Sequence, residues 1–286
     1  MEDKYRKALS QHAFKLSDNS ITEKVKEILS EKAKQNNTPE VLKTIYGCID
    51  LTTLNTTDTR EDIWKFTGKV NDFDGTNPEI NNVAAICVFP NFAKTVRESL
   101  TADVKIACVA GGFPSSQTFL EVKIAETALA VLDGADEIDV VMNLGLFMNG
   151  EYEELCEELD EIKEACHEAK LKVILETGAL KESKKIYDAS ILALYSGADF
   201  IKTSTGKVYE GATLEAAYTM CLALKSYHKK TGNKRGIKIS GGVSSVQDVV
   251  NYYTIIKETL GEEWCNKALF RVGTSRLANT LLEAIK

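Results

Sequence analysis

The chain has 286 residues, 44% hydrophobic and 27% charged, the composition of a soluble globular protein with one sizeable core or two small ones. A net charge of −7 argues against nucleic acid or an anionic membrane surface as a partner, and no apolar run approaches the ~20 residues of a membrane span. The charged start, Met1 to Lys7, lacks the apolar core of a signal peptide. The seven cysteines are scattered without a C-x-x-C pair and read as reduced thiols, so a cytoplasmic location is expected. His12, His167 and His228 lie near no carboxylate or cysteine cluster with metal-ligand spacing, so no metal site is expected.

Residues 1–45 are polar and rich in Lys and Glu. Ser20-Ile21-Thr22-Glu23 has capping-box spacing, and Ile21, Val25, Ile28 and Leu29 continue as a helical stripe. A helical extension is therefore expected over 1–45, broken at Asn36-Asn37-Thr38-Pro39. Beyond it, short apolar runs alternate with amphipathic segments. The runs are 46–51, 83–88, 104–109, 137–142, 171–175, 200–203, 236–239 and 269–272. Between the third and fourth, Val122, Ala125, Leu129 and Leu132 predict one inward helical face; after the fourth, Leu155, Leu159, Ile162 and Ala169 predict another. Strands alternating with helices imply a parallel sheet. Eight such units over ~240 residues fit a closed (β/α)8 TIM barrel, usually ~250 residues long. A doubly wound open sheet is the other arrangement, disfavoured because no G-x-G-x-x-G or P-loop follows an early strand. With no linker or composition shift, 46–286 is expected to be one barrel domain.

A barrel directs attention to the C-terminal ends of its strands, where active sites lie, and to the loops after strands seven and eight, where phosphate often binds. The sixth run continues as Phe200-Ile201-Lys202-Thr203-Ser204-Thr205-Gly206-Lys207. Alternation places Lys202 inside, and a lysine in a partly dry site loses preference for its charged form and can attack a carbonyl. Lys238, in the seventh run, faces inward by the same phase, and two neighbouring lysines repel each other's charge and lower one pKa. Asp139, between Ile138 and Val140, is placed to move protons and balance charge. Asp50 and Thr52 end the first strand, Cys87 lies in the second and Thr205 follows the sixth; these are near-site candidates, while Glu137 of the fourth strand and Glu176 at the end of the fifth read as inward carboxylates. Cys87 also reads as a packed core thiol, and the inward charges also read as a structural network. Gly206-Lys207, Gly241-Gly242 and Gly273-Thr274-Ser275, with Arg276 beyond, gather glycines and cations where an anion can approach the backbone. Together they predict a phosphorylated carbonyl substrate.

These residues carry a resemblance. Asp50-Leu51-Thr52-Thr53-Leu54-Asn55, Gly134-Ala135-Asp136-Glu137-Ile138-Asp139-Val140-Val141, Glu176-Thr177-Gly178, Gly197-Ala198-Asp199-Phe200-Ile201-Lys202-Thr203-Ser204-Thr205-Gly206, Gly241-Gly242-Val243 and Arg271-Val272-Gly273-Thr274-Ser275 resemble the blocks of 2-deoxyribose-5-phosphate aldolases, class I aldolases of deoxynucleoside breakdown. The resemblance runs from residue 47 to about 280, and the Lys202 block is its most specific part. It implies an aldehyde-lyase that needs no metal or organic cofactor. Lys202 would be the Schiff-base lysine, Lys238 the lysine that tunes it, and Asp139 the aspartate of water-mediated proton transfer. Gly206, Lys207, Gly241, Gly242, Gly273 and Ser275 would form the phosphate site. The partner implied is a phosphorylated deoxysugar, with a homo-oligomer as a further expectation. Two features depart from the pattern: the N-terminal segment is longer than in most members, and residues 281–286 contain no tyrosine of the kind some members use in proton transfer. Another Schiff-base sugar-phosphate aldolase and a non-catalytic phosphosugar-binding barrel are the alternatives.

Overall fold

The structure, a computed structural model, describes residues 4–285. Eight parallel strands hydrogen-bond in chain order: β1 (Ile49–Thr52), β2 (Ala85–Val88), β3 (Lys105–Ala110), β4 (Glu137–Val141), β5 (Lys170–Ile174), β6 (Phe200–Lys202), β7 (Gly236–Ser240) and β8 (Phe270–Thr274). β8 returns to β1, with Asp50 opposite Gly273, and closes the barrel. The expected (β/α)8 architecture is the observed one. Strand ends match the expected runs within one or two residues except at the first, where Tyr46 closes a helix and the strand begins at Ile49.

Period-two alternation builds the two sides of the sheet. Ile86, Ile138, Val140, Leu171, Val173, Ile201, Ile237, Ile239 and Val272 point outward into the main core between sheet and helices. The interior is divided. Around β2 and β3 it holds a small apolar cluster of Ala85, Cys87, Ala107 and Val109 with Leu54; the remaining strands supply its charged side chains, with Phe200 packed against Arg271.

The connecting helices are α4 (Arg60–Phe73), α5 (Ala93–Ser99), α6 (Leu120–Leu132), α7 (Leu144–Asn149), α8 (Tyr152–Ala165), α9 (Thr177–Leu180), α10 (Ser183–Tyr195), α11 (Leu214–Thr231), α12 (Val246–Leu260) and α13 (Leu277–Ile285), preceded by α1 (Lys4–Gln11), α2 (Asp18–Lys32) and α3 (Pro39–Tyr46). α8 buries Leu155, Leu159 and Ile162 as its stripe predicts, whereas Ala169, though buried, lies beyond the helix. α6 reverses its expectation. Val122, Ala125, Leu129 and Leu132 face outward, with Val122 50%, Leu129 62% and Leu132 81% exposed; Phe119 just before the helix is 78% exposed. The buried face is Lys123, Thr127 and Ala130. Lys123 can turn inward because its ammonium meets Glu158 of α8 at 2.7 Å and Ser116 at 2.9 Å, so the burial of one charge is offset by another.

The extension packs on the barrel's outer layer. α2 begins one turn earlier than the capping-box spacing suggests, because the Ser17 side chain, not Ser20, accepts the cap bond, from Ser20 N at 3.2 Å. Ile21 and Val25 then bury against Tyr218 of α11 and Ile255 of α12. Thr38 caps α3, with Pro39 in its first turn. His12 is held between Ser226 (2.7 Å) and Tyr195 (3.0 Å). All seven cysteines, Cys48, Cys87, Cys108, Cys156, Cys166, Cys221 and Cys265, are buried and outside any disulfide.

Candidate active site

The charged inner residues form one buried network. Asp139 of β4 accepts from three lysines: Lys172 of β5 at 2.8 Å, and Lys202 of β6 and Lys238 of β7 both at 2.7 Å. Lys238 also pairs with Asp50 of β1 at 2.6 Å. Lys172 reaches Glu137 at 2.6 Å and Asp50 at 3.4 Å. Arg271 of β8 bonds Glu137 with both terminal nitrogens (2.9 and 2.7 Å) and Asp50 with one (2.6 Å). Every side chain in this set is at most 4% exposed.

Their electrostatics differ in sign. Burial pulls the Lys202 ammonium below the ordinary lysine value; Asp139 opposes the drop and Lys238 adds to it. Burial acts on Lys172 in the same sense, but Asp139, Glu137 and Asp50 outweigh it and hold that lysine well above its ordinary value. Lys238 is likewise raised, its burial outweighed by Asp139 and Asp50. Burial alone would raise Asp139, yet Lys172, Lys202 and Lys238 together keep it well below the usual carboxylate range. Lys202 is thus the lysine of the three whose proton is least firmly held.

Above the network a cavity of about 490 Å³ opens at the C-terminal ends of the strands. Lys202 and Lys238 reach its floor. Its wall carries Thr52, Thr205, Gly206, Lys207, Gly241, Gly242, Gly273, Ser275 and Arg276. The loops after β6 and β7 are laced together: Ser204 Oγ donates to Ser240 O and Ser240 Oγ to Ser204 O, each at 2.6 Å. Gly241, at φ +87°, has room for no side chain, since a Cβ there would lie 2.5 Å from Ser204 Oγ and 2.8 Å from Gly211 Cα. Glu176, itself at φ +53°, accepts from Thr205 N (3.1 Å) and Thr205 Oγ1 (2.6 Å) and so fixes the start of the β6 loop. Lys207 Nζ donates to Leu54 O of the β1 loop at 2.6 Å. The cavity therefore offers an amine able to shed its proton at one end and a glycine-lined, cation-flanked corner at the other.

Residues 44–257 match the DeoC/LacD family of aldolases. The chain belongs to the DeoC/LacD aldolase family. It is 42% identical to deoxyribose-phosphate aldolase of Bos taurus, over 80% of this chain and 76% of that protein. It is 40% identical to the Homo sapiens deoxyribose-phosphate aldolase, over 82% and 77%. Its fold superimposes on a tetrameric deoxyribose phosphate aldolase from Aeropyrum pernix with a TM-score of 0.68 and 27% identity, covering 91% of this chain and 97% of that one.

In this family member the structure brings Lys202, Lys238 and Asp139 together, with Asp139 behind the two lysines rather than on the cavity wall. The six positions expected to bind phosphate all line the cavity, as do Thr52 and Thr205. Asp50 is inside the network below it. Cys87 lies in the apolar cluster of the interior, off the cavity, and burial pushes its thiol up. Glu176 is not part of the inward network; it turns to Thr205. Sequence reasoning counted two inward lysines and missed Lys172 and Arg271. The signal was there: Leu171-Lys172-Val173 and Phe270-Arg271-Val272 each set a cation inside an apolar strand, in the phase of Lys202.

Proposed function

We propose that this chain is a Schiff-base aldolase that cleaves 2-deoxy-D-ribose 5-phosphate reversibly to D-glyceraldehyde 3-phosphate and acetaldehyde, in the cytoplasm, as part of deoxyribose phosphate breakdown. The observation that carries the reading is Lys202, a buried lysine of lowered pKa at the floor of a cavity whose far wall is built from three glycine-containing loops. The family and its deoxyribose-phosphate aldolase relatives support the substrate.

In this reading the open-chain sugar docks its phosphate among Gly206, Lys207, Gly241, Gly242, Gly273 and Ser275, where backbone N–H groups and the cations of Lys207 and Arg276 receive it. Neutral Lys202 attacks the C1 aldehyde. The carbinolamine loses water to give an iminium, whose positive charge sits where the ammonium was, still facing Asp139. Because the pKa of Asp139 is so depressed, its main role is to balance that charge. Lys238, which reaches the cavity, keeps its own proton and by its charge favours the neutral form of Lys202, while water in the cavity carries the protons. The iminium accepts electrons as the C2–C3 bond breaks and the C3 hydroxyl loses its proton, so glyceraldehyde 3-phosphate leaves. The enamine takes a proton at C2, and hydrolysis frees acetaldehyde and Lys202.

Borohydride trapping with deoxyribose 5-phosphate, followed by peptide mass mapping, tests the reading. An ethyl group on Lys202 is expected, and Lys202→Ala should abolish both adduct and turnover. A folded protein that binds the sugar phosphate without adduct or turnover would favour a non-catalytic phosphosugar-binding barrel.

The chain is also proposed to assemble with a second copy of itself through the outward apolar stripe of α6. Support comes from the exposure of Phe119, Leu129 and Leu132 and from the tetrameric relative. Light scattering should give a multiple of the chain mass, falling to the monomer in Leu129→Lys/Leu132→Glu.

A further inference from the structure

Four cations, Lys172, Lys202, Lys238 and Arg271, share three carboxylates, Asp50, Glu137 and Asp139, among the described residues of the barrel interior. Fully ionised, the set carries one positive charge with no counter-ion in a region where burying an unpaired charge is costly. Arginine cannot give up a proton in a protein, so the surplus must be relieved at a lysine. The contacts say which. Lys172 has three carboxylate partners, Lys238 two, Arg271 two, and Lys202 one.

We propose that Arg271 and Glu137, at the N-terminal end of the barrel and off the cavity, are positioning residues: Arg271 supplies the surplus cation that keeps Lys202 ready to act as a neutral amine, and Glu137 limits that surplus to one. The inference rests on the Schiff-base reading of Lys202. Arg271 takes both oxygens of Glu137 and one of Asp50. Its guanidinium lies 5.6 Å from the centre of the Phe200 ring, and its Nε donates to Lys267 O, so the fork is held in place. Those contacts engage three of the six carboxylate oxygens; Asp139 and the other oxygen of Asp50 are the anions that Lys202 and Lys238 face.

Without Arg271, three lysines meet three carboxylates, the surplus is gone, and only burial and Lys238 still favour loss of the Lys202 proton. Without the Glu137 charge, the surplus doubles and the proton leaves more readily. The groups acting on Lys202 are Asp139 from β4, Lys238 from β7 and the Cys87 thiol from β2, with Lys172 from β5 on the other oxygen of Asp139. Asp50 from β1, Glu137 from β4 and Arg271 from β8 act one contact further away.

The test is the titration of Lys202 itself, read by competitive acetylation of the folded protein across pH with mass mapping of the Lys202 peptide, a readout independent of turnover. Arg271→Met is expected to raise the apparent pKa of Lys202 by about one unit or more, a roughly tenfold loss of neutral amine at a given pH below it. Glu137→Gln is expected to lower it. The double variant Arg271→Met/Glu137→Gln restores a surplus of one, three cations against two carboxylates, and should return the titration toward the wild type. Arg271→Lys, which keeps the count, should leave it near the wild type. A purely structural pair would lower stability in both single variants without moving the titration in opposite directions, and that result would overturn the proposal. If Arg271→Met does not fold, Glu137→Gln still decides: an unchanged or raised pKa overturns the proposal. Borohydride trapping on the wild type is run alongside. Trapping on Lys202 with no opposed shifts defeats the positioning role alone; opposed shifts with no trapping would uphold the charge count and defeat the aldolase reading.

Discussion

Replacing Gly241 by alanine tests whether the laced β6 and β7 loops form the phosphate corner. The residue sits at φ +87°, a conformation that costs an L-residue about 1–3 kcal/mol. The new Cβ would lie 2.5 Å from Ser204 Oγ and 2.8 Å from Gly211 Cα, so Ser204 must swing away and lose its 2.6 Å bond to Ser240 O, a further ~1 kcal/mol. A loss of about 2–4 kcal/mol follows, seen as a fall in Tm of roughly 4–12 °C. The functional effect is more specific. A hydrogen bond to a charged group is worth about 1.5–3 kcal/mol. Displacing one backbone N–H from the phosphate should therefore cut kcat/KM for deoxyribose 5-phosphate by about 10- to 150-fold. Unphosphorylated 2-deoxyribose gains nothing from that corner, and its kcat/KM should change by less than about threefold. The assay is the ratio of the two specificity constants at a temperature where the variant is folded. A lowered Tm with an unchanged ratio would refute the phosphate role of this loop while leaving the strain argument intact.

Three other outcomes are expected. Lys238→Met removes a cation beside Lys202, so the acidic limb of the kcat/KM profile should move to higher pH; an unmoved limb would remove Lys238 from the tuning of the amine. Asp50 and Asp139 have folded pKa values held below their unfolded ones, so their contribution to stability is complete above about pH 5 and fades as pH falls through 4 toward the folded values. Thermal unfolding between pH 3 and 7 should show that acid loss, and a flat Tm would contradict it. Lys123→Met strands Glu158 under α6 and should cost about 3–5 kcal/mol, whereas Lys123→Met/Glu158→Leu should recover most of it; urea unfolding of the cycle decides, and an additive double variant would show that the pair is not coupled.

Much of the molecule could be read from the chain because a barrel strand imposes a period of two. Ile138 and Val140 around Asp139, or Ile237 and Ile239 around Lys238, state their facing without any tertiary information. Lys172 and Arg271 stand in the same phase, but within their strands rather than at the C-terminal ends, where a barrel's chemistry is expected. The geometry also shows how the count matters: a pair of lysines suggests mutual repulsion, but four cations against three anions locate the surplus. α6 departs from its sequence pattern for a different reason. Apolar periodicity identifies a face but not the side that face meets, and the inward face of α6 depends on Glu158, 35 positions after Lys123 in the chain. α2 starts one turn before the expected cap because Ser17 and Ser20 both have the chemistry of a cap, and only the backbone decides between them.

The burial of all seven thiols gives the protein a built-in stopwatch. They lie at different depths and in different layers: Cys87 inside the barrel, Cys108 on the outward side of β3, Cys156 on α8, Cys221 on α11 and Cys265 near the start of β8. A small alkylating reagent meets no exposed sulfur in the native molecule, so each cysteine is marked only when its own layer opens. Peptide-resolved alkylation over time would thus record the order in which the layers come apart, without an added probe or an engineered residue.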